Sequence, residues 1–194
     1  MKKIICLTAC LFASGANAGI INSTFESMSS NGNHRDYGNA VVISDNWGEQ
    51  HRGYTEFDIS GLSGTFNAFL NFDLTSNSTG ASTVAGLDFY EGNGVADLFA
   101  DWSQNANEQT FVLGSAPNSY SLDISSVFNS SLSSGWNYLG VNLHAANWST
   151  LNNTARFDNF NISYEPTAVP EPASFALLGL GLAGLGFSRR KKAA

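Results

Sequence analysis

The residues able to do chemistry are few in kind and poorly spaced for catalysis. Histidine occurs only at His34, His51 and His144. No two of them form an H-x-x-x-H or H-E-x-x-H pair that would set both on one helix face around a metal. Serine is abundant, but no G-x-S-x-G elbow singles out a nucleophile. His34-Arg35-Asp36 echoes a phosphotransfer loop, yet Asn39 falls at the wrong spacing and no phosphate-binding loop accompanies it. Gly179 to Gly184 spells G-x-G-x-x-G, but it lies in an apolar run after Pro172 rather than between a strand and a helix. Those glycines suit close helix contact inside a bilayer. Carboxylates are so common that some pair at glycosidase separation arises by chance, and they mark no active site. The residues therefore read as those of a protein that is not an enzyme. Trp47 and Trp102 stand out in polar stretches, Asp45-Asn46-Trp47-Gly48 and Asp101-Trp102-Ser103-Gln104. Their faces can stack on sugar rings while Asn and Asp bond hydroxyls, which makes them the candidate glycan-stacking residues. Trp136 and Tyr138 read as core aromatics.

The two ends of the chain are built unlike its middle. Lys2 and Lys3 precede an apolar run, Ile4 to Ala13, and then Ala16-Asn17-Ala18. This is the charge, apolar and small-x-small order of a signal peptide over residues 1–18, cut by signal peptidase before Gly19. Leu7-Thr8-Ala9-Cys10 resembles a lipidation box but leaves too little apolar chain ahead of it. At the other end, a linker over 166–169 leads to Pro170-Glu171-Pro172. Alternate prolines hold the intervening Glu171 extended. Residues 173–187 are uncharged and rich in Ala, Leu, Gly and Phe. They predict one hydrophobic helix, short for a bilayer that takes roughly 20 apolar residues to cross. Arg189, Arg190, Lys191 and Lys192 follow as a basic cluster that stays cytoplasmic. Residues 170–194 thus form a membrane-directed tail.

Between the ends, residues 19–165 form a single domain. Cys6 and Cys10 are the chain's two cysteines, and both fall in the signal peptide, so the exported part has no disulfide. Its cations are Arg35, Arg52 and Arg156 against fifteen acids, a net charge near −12. Phosphate binding needs clustered cations, so nucleic acid is excluded as a partner. Apolar residues recur with period two. Candidate strands are 40–44, 53–59, 66–74, 84–90, 96–100, 110–113, 119–124, 137–144 and 156–164, separated by Gly, Asn and Ser turns. Residues 125–132 predict a short helix capped by Ser125 or Ser126, with Val127, Phe128 and Leu132 facing the core. The pattern predicts an all-β fold, a β-sandwich of jelly-roll type.

Pro170-Glu171-Pro172, the apolar run and the Arg/Lys cluster, in that order, resemble the PEP-CTERM sorting domain. The resemblance implies an exported protein of a Gram-negative bacterium. It would be held transiently in the membrane by the C-terminal helix, then cut near the motif by an exosortase, a membrane-embedded cysteine transpeptidase-like enzyme. It also implies a place at the cell surface, in the outer envelope or in the extracellular matrix, with exopolysaccharide and biofilm as associates. Glycosylation is implied too, without a choice among the Asn-x-Ser/Thr triplets at Asn22, Asn77, Asn129, Asn147, Asn152 and Asn161.

A second resemblance lies in the domain. Arg52 to Ser60, with Phe57-Asp58-Ile59-Ser60, is similar to the opening of DNRLRE-type jelly rolls. Tyr120 to Ser125, Gly135 to Val141 and Phe157-Asp158-Asn159 are similar to their later strands. Such domains are like carbohydrate-binding modules, in which a structural calcium joins the first strand to the last. Glu26 and Asp158 stand at those places, so the resemblance implies them as calcium ligands. The expected function is non-catalytic and glycan-binding. A secreted polysaccharide-active enzyme, of hydrolase or lyase type, and a purely structural surface protein are the alternatives.

Overall fold

A computed structural model describes residues 18–30, 33–35, 41–46, 49–78, 84–96, 108–146 and 153–167. Its strands are β1 (Gly19–Asn22), β2 (Phe25–Ser30), β3 (Asn33–Arg35), β4 (Val41–Asn46), β5 (Glu49–Asp58) and β6 (Phe66–Asn77). They continue as β7 (Val84–Gly92), β8 (Gln109–Val112), β9 (Asn118–Asp123), β10 (Tyr138–Ala145) and β11 (Asn153–Pro166). One helix, α1 (Ser125–Ser133), lies between β9 and β10.

All pairings are antiparallel. The hydrogen-bonded path runs β8-β7-β10-β5-β4-β11-β6-β9, with β1 on β11, β2 on β5 and β3 on β2. The path doubles back at the β4–β5 hairpin, where Ser44 pairs with His51 and Asn46 with Glu49. Two antiparallel layers result, the expected all-β sandwich. The layers meet in a core of Phe and Leu: the ring of Phe72 on β6 lies 5.4 Å from that of Phe111 on β8 and 5.7 Å from that of Phe157 on β11.

The alternation in β6 shows why the sequence folds this way. Phe66, Ala68, Leu70, Phe72 and Leu74 are buried, while Asn67, Phe69, Asn71 and Asp73 point outward. Successive strand residues face opposite sides, so one apolar residue in two is enough to fix register. β10 behaves differently. Leu139, Val141 and Leu143 enter the core, but Asn142 and His144 on the opposite face are buried as well.

α1 covers the predicted span with Phe128 buried and Val127 and Leu132 against the core. Its start differs from expectation: neither Ser125 nor Ser126 caps it. The Ser125 N–H donates to Asp123 Oδ1 at 2.9 Å, and the Ser125 hydroxyl instead receives the Ala68 N–H at 3.0 Å, stitching the helix to β6. β11 is also longer than predicted. Pro166 pairs with Phe66, and the Thr167 N–H donates to Thr65 O at 3.0 Å. The strand thus enters the stretch read as linker. β1, β2 and β3 were not among the expected strands, and of 96–100 only Ala96 is described, outside any strand.

Candidate functional site

Three polar constellations are built on this frame. The first is the outer face of β9-β6-β11. Pairing sets Ser121 beside Asn71 and Asn71 beside Asn161, with Ser119 beside Asp73. The side chains form a continuous ladder across the strands. Ser121 Oγ donates to Asn71 Oδ1 (2.8 Å), and Asn71 Nδ2 donates to Asn161 Oδ1 (3.1 Å) and Ser163 Oγ (3.0 Å). Ser119 Oγ and Asn159 Nδ2 both donate to the carboxylate of Asp73, at 2.6 and 2.9 Å. Those two bonds hold Asp73 below the usual carboxylate range, so it stays ionised. The ladder borders a shallow depression of about 300 Å3. Phe69 is 37% exposed and presents an aromatic surface on the same side of β6.

The second constellation uses the bulge in β11. The register shifts between Asp158 and Asn161, and Asn159 takes a left-handed conformation with φ of 60°, which asparagine tolerates better than most residues. The bulge turns Asn159 onto Asp73 and frees the Phe160 N–H to donate to Glu26 Oε1 at 3.0 Å. Ser23 Oγ donates to the same oxygen at 3.2 Å. Glu26 Oε2 is buried and receives no hydrogen bond. Burial pushes Glu26 up to about 7, and the adjoining Asp158 charge pushes the same way against the Phe160 and Ser23 bonds. The structure thus brings the expected calcium pair, Glu26 and Asp158, together. Two hard carboxylates with an oxygen lacking a donor suit calcium. Among the described residues no cluster of three or more His, Cys, Asp or Glu side chains could hold a metal.

The third is a buried polar face on β5, β7 and β10. Arg52, Tyr54 and Glu56 alternate on β5, Asp88 and Tyr90 on β7, and Asn142 and His144 on β10; all are buried. His144 Nε2 lies 3.1 Å from Asp88 Oδ2. Burial lowers His144, partly countered by the Asp88 charge, so the imidazole is neutral at neutral pH. Arg52 is likewise lowered by burial and supported by Asp88. Glu56 Oε2 accepts the N–H groups of Asn93 (3.1 Å) and Gly94 (2.6 Å), fixing the turn after β7. The reading of the sequence missed this cluster. Its signal is present, since three strands each carry polar residues at alternate positions, but such a pattern ordinarily denotes a solvent face.

The other expected site residues fall elsewhere. Trp47 and Trp102, the glycan-stacking candidates, lie outside the described residues, as do Ala16, Pro170, Glu171, Pro172, Arg189, Arg190, Lys191 and Lys192. Ala18 is described, and Gly19 opens β1 opposite Tyr164. A Cβ at Gly19 would meet the Tyr164 hydroxyl at 2.5 Å, so a side chain at residue 19 would displace the end of that ring.

No curated protein matches the chain. Residues 168–191 match the family described as the PEP-CTERM protein-sorting motif. That motif implies an exported protein, anchored transiently at the membrane and sorted by an exosortase.

Proposed function

We propose that the sandwich is a non-catalytic component of the cell surface or extracellular matrix of a Gram-negative bacterium, and that it holds neutral exopolysaccharide on the outer face of β9-β6-β11. The ladder of Asn71, Asn161, Ser121, Ser119 and Asp73 carries this reading. Each amide or hydroxyl is already fixed by a neighbour yet keeps bonding capacity toward solvent. A polymer of hydroxyls then pays little ordering entropy on the protein side. Phe69 beside the ladder can stack on a sugar ring, as the indoles of Trp47 and Trp102 can. The ionised Asp73 and the acidic domain repel anionic polymers, which favours a neutral one.

Calcium is the cofactor of this reading, held by Glu26 and Asp158. It would supply a positive charge between two strands, in place of the proton that Glu26 otherwise retains. Its role there is structural, since it would tie β2 to β11.

The test is migration of the purified protein through gels containing neutral or acidic polysaccharides, with reducing ends assayed in parallel. Retardation by a neutral polymer without new reducing ends is expected. New reducing ends that vanish in one carboxylate variant would instead establish the polysaccharide-active enzyme. No retardation by any polymer would leave the purely structural surface protein.

A further inference from the structure

The two membrane-directed ends of this chain leave the fold at one place. Gly19 pairs with Tyr164, three residues before Thr167, and Thr167 is bonded to Thr65. An open groove of about 680 Å3 lies there, lined by Ala18, Ile20 and Phe69 together with Asn67, Tyr164 and Glu165. Ile20 is 68% exposed and Phe69 37% exposed; Val95 and Val112 are the other large apolar side chains exposed among the described residues, and neither lines this groove. The signal peptide that precedes Gly19 carries its apolar run at Ile4 to Ala13, and the apolar run of the tail starts at Ala173. From Thr167 to Ala173 the chain can span at most about 20 Å.

We propose that this groove is the membrane-contacting surface of the anchored precursor, with Ile20 and Phe69 resting on the lipid leaflet that holds the uncut tail. Length argues for the occupant: a tether of at most about 20 Å keeps the end of β11, and the groove beside it, close to the leaflet that holds the tail. The contact is small, but tethering raises its effective concentration to the point where a weak apolar contact is populated. Glu165 at the rim and the acidic domain disfavour anionic headgroups, so the lipid is zwitterionic. The contact orients the domain with β1 and the end of β11 toward the bilayer. It is lost when the tail is cut.

The proposal rests on the tail acting as an anchor, and the experiment separates the two. The signal-cleaved chain from Gly19 to Ala194, which holds no cysteine, receives one environment-sensitive fluorophore through Asn67→Cys in the groove. A control carries it through Val112→Cys, whose partner Val84 lies at the far end of the sandwich. Each is reconstituted into phosphatidylcholine vesicles with brominated acyl chains. Flotation reports anchoring; quenching reports contact. The expected result is flotation of both, with several-fold stronger quenching at position 67 than at 112. Adding Ile20→Asp and Phe69→Asp should bring position 67 down to the control while flotation persists. Both residues are exposed, so the fold tolerates the change, and the comparison of 67 with 112 needs no variant at the groove's apolar positions. Flotation with equal quenching at the two positions would overturn the membrane contact alone. Failure to float would overturn the anchor and the contact together.

Discussion

Glu26 keeps its proton at a pH where an ordinary glutamate has lost it. Its ordinary value is 4.5, and burial beside Asp158 carries it to about 7 in the folded state. The folded protein therefore binds this proton more tightly than the unfolded chain. Stability from this group is full below pH 4.5, declines as pH rises from about 4.5 to about 7, and is flat above. Solvent screens the partly buried pair, so the decline is on the order of 1–2 kcal/mol. Glu26→Gln keeps an acceptor for the Phe160 N–H and offers Asp158 a donor. Urea unfolding of that variant should lose the decline between about pH 4.5 and about pH 7. Calcium added at pH 8 should raise the wild-type midpoint and leave the variant unmoved; equal shifts in both would remove Glu26 from the site. Asp73 acts with the opposite sign. Its folded value is depressed by Ser119 and Asn159, so its contribution is present above the ordinary aspartate range and fades as pH falls below it. On the ladder itself, Asn71→Ala removes bonds to Ser121, Asn161 and Ser163 at once. It should weaken neutral-polysaccharide retention about tenfold, roughly 1.4 kcal/mol, while the unfolding midpoint moves little.

At the scale of elements, β6 could be read directly, because one face meets the core and the other meets water. β10 had the right limits but a misleading face. Asn142 and His144 look like solvent residues, yet they are buried against Arg52, Tyr54 and Asp88, which arrive from strands remote in sequence. No local pattern encodes that meeting. β1, β2 and β3 were illegible for another reason: Phe25-Glu26-Ser27-Met28-Ser29-Ser30 carries little alternation, and its strand is defined by pairing with β5. The pairing of Glu26 with Asp158 was anticipated by resemblance alone, and the β11 bulge that accomplishes it has no signature beyond Asp158-Asn159. The close approach of Gly140 to Tyr90 is similarly invisible in the sequence. A Cβ there would collide with the ring, and both neighbouring strands are fixed by pairing. Gly140→Ala should cost about 1–3 kcal/mol through this overpacking. Gly61→Ala, where a Cβ would meet nothing, should cost little. Denaturant midpoints of the two variants check the contrast.

The whole molecule is arranged so that its ends can be removed without opening its core. β11 is bonded through Pro166, and Thr167 closes onto Thr65, before the motif begins at Pro170. A cut near Pro172 therefore severs none of the described hydrogen bonds. At the other end, a cut before Gly19 leaves β1 whole and paired along Gly19–Asn22. The chain cleaved at both places should unfold within about 0.5 kcal/mol of the uncut protein, since none of the described hydrogen bonds is lost. A cut before Tyr164 would instead remove the partner of Gly19 and the Phe66–Pro166 pairing, and stability should fall by several times that amount. The mass of the protein recovered from its host decides whether the arrangement is used. A species beginning at Gly19 and ending near Pro172, with any added sugar visible as excess mass, is the expected product of export and exosortase cleavage. A species that still carries Arg189 to Ala194 would show the tail to be a permanent anchor. The sandwich would then work where it is tethered, within about 20 Å of the bilayer, and its polysaccharide would have to be sought there.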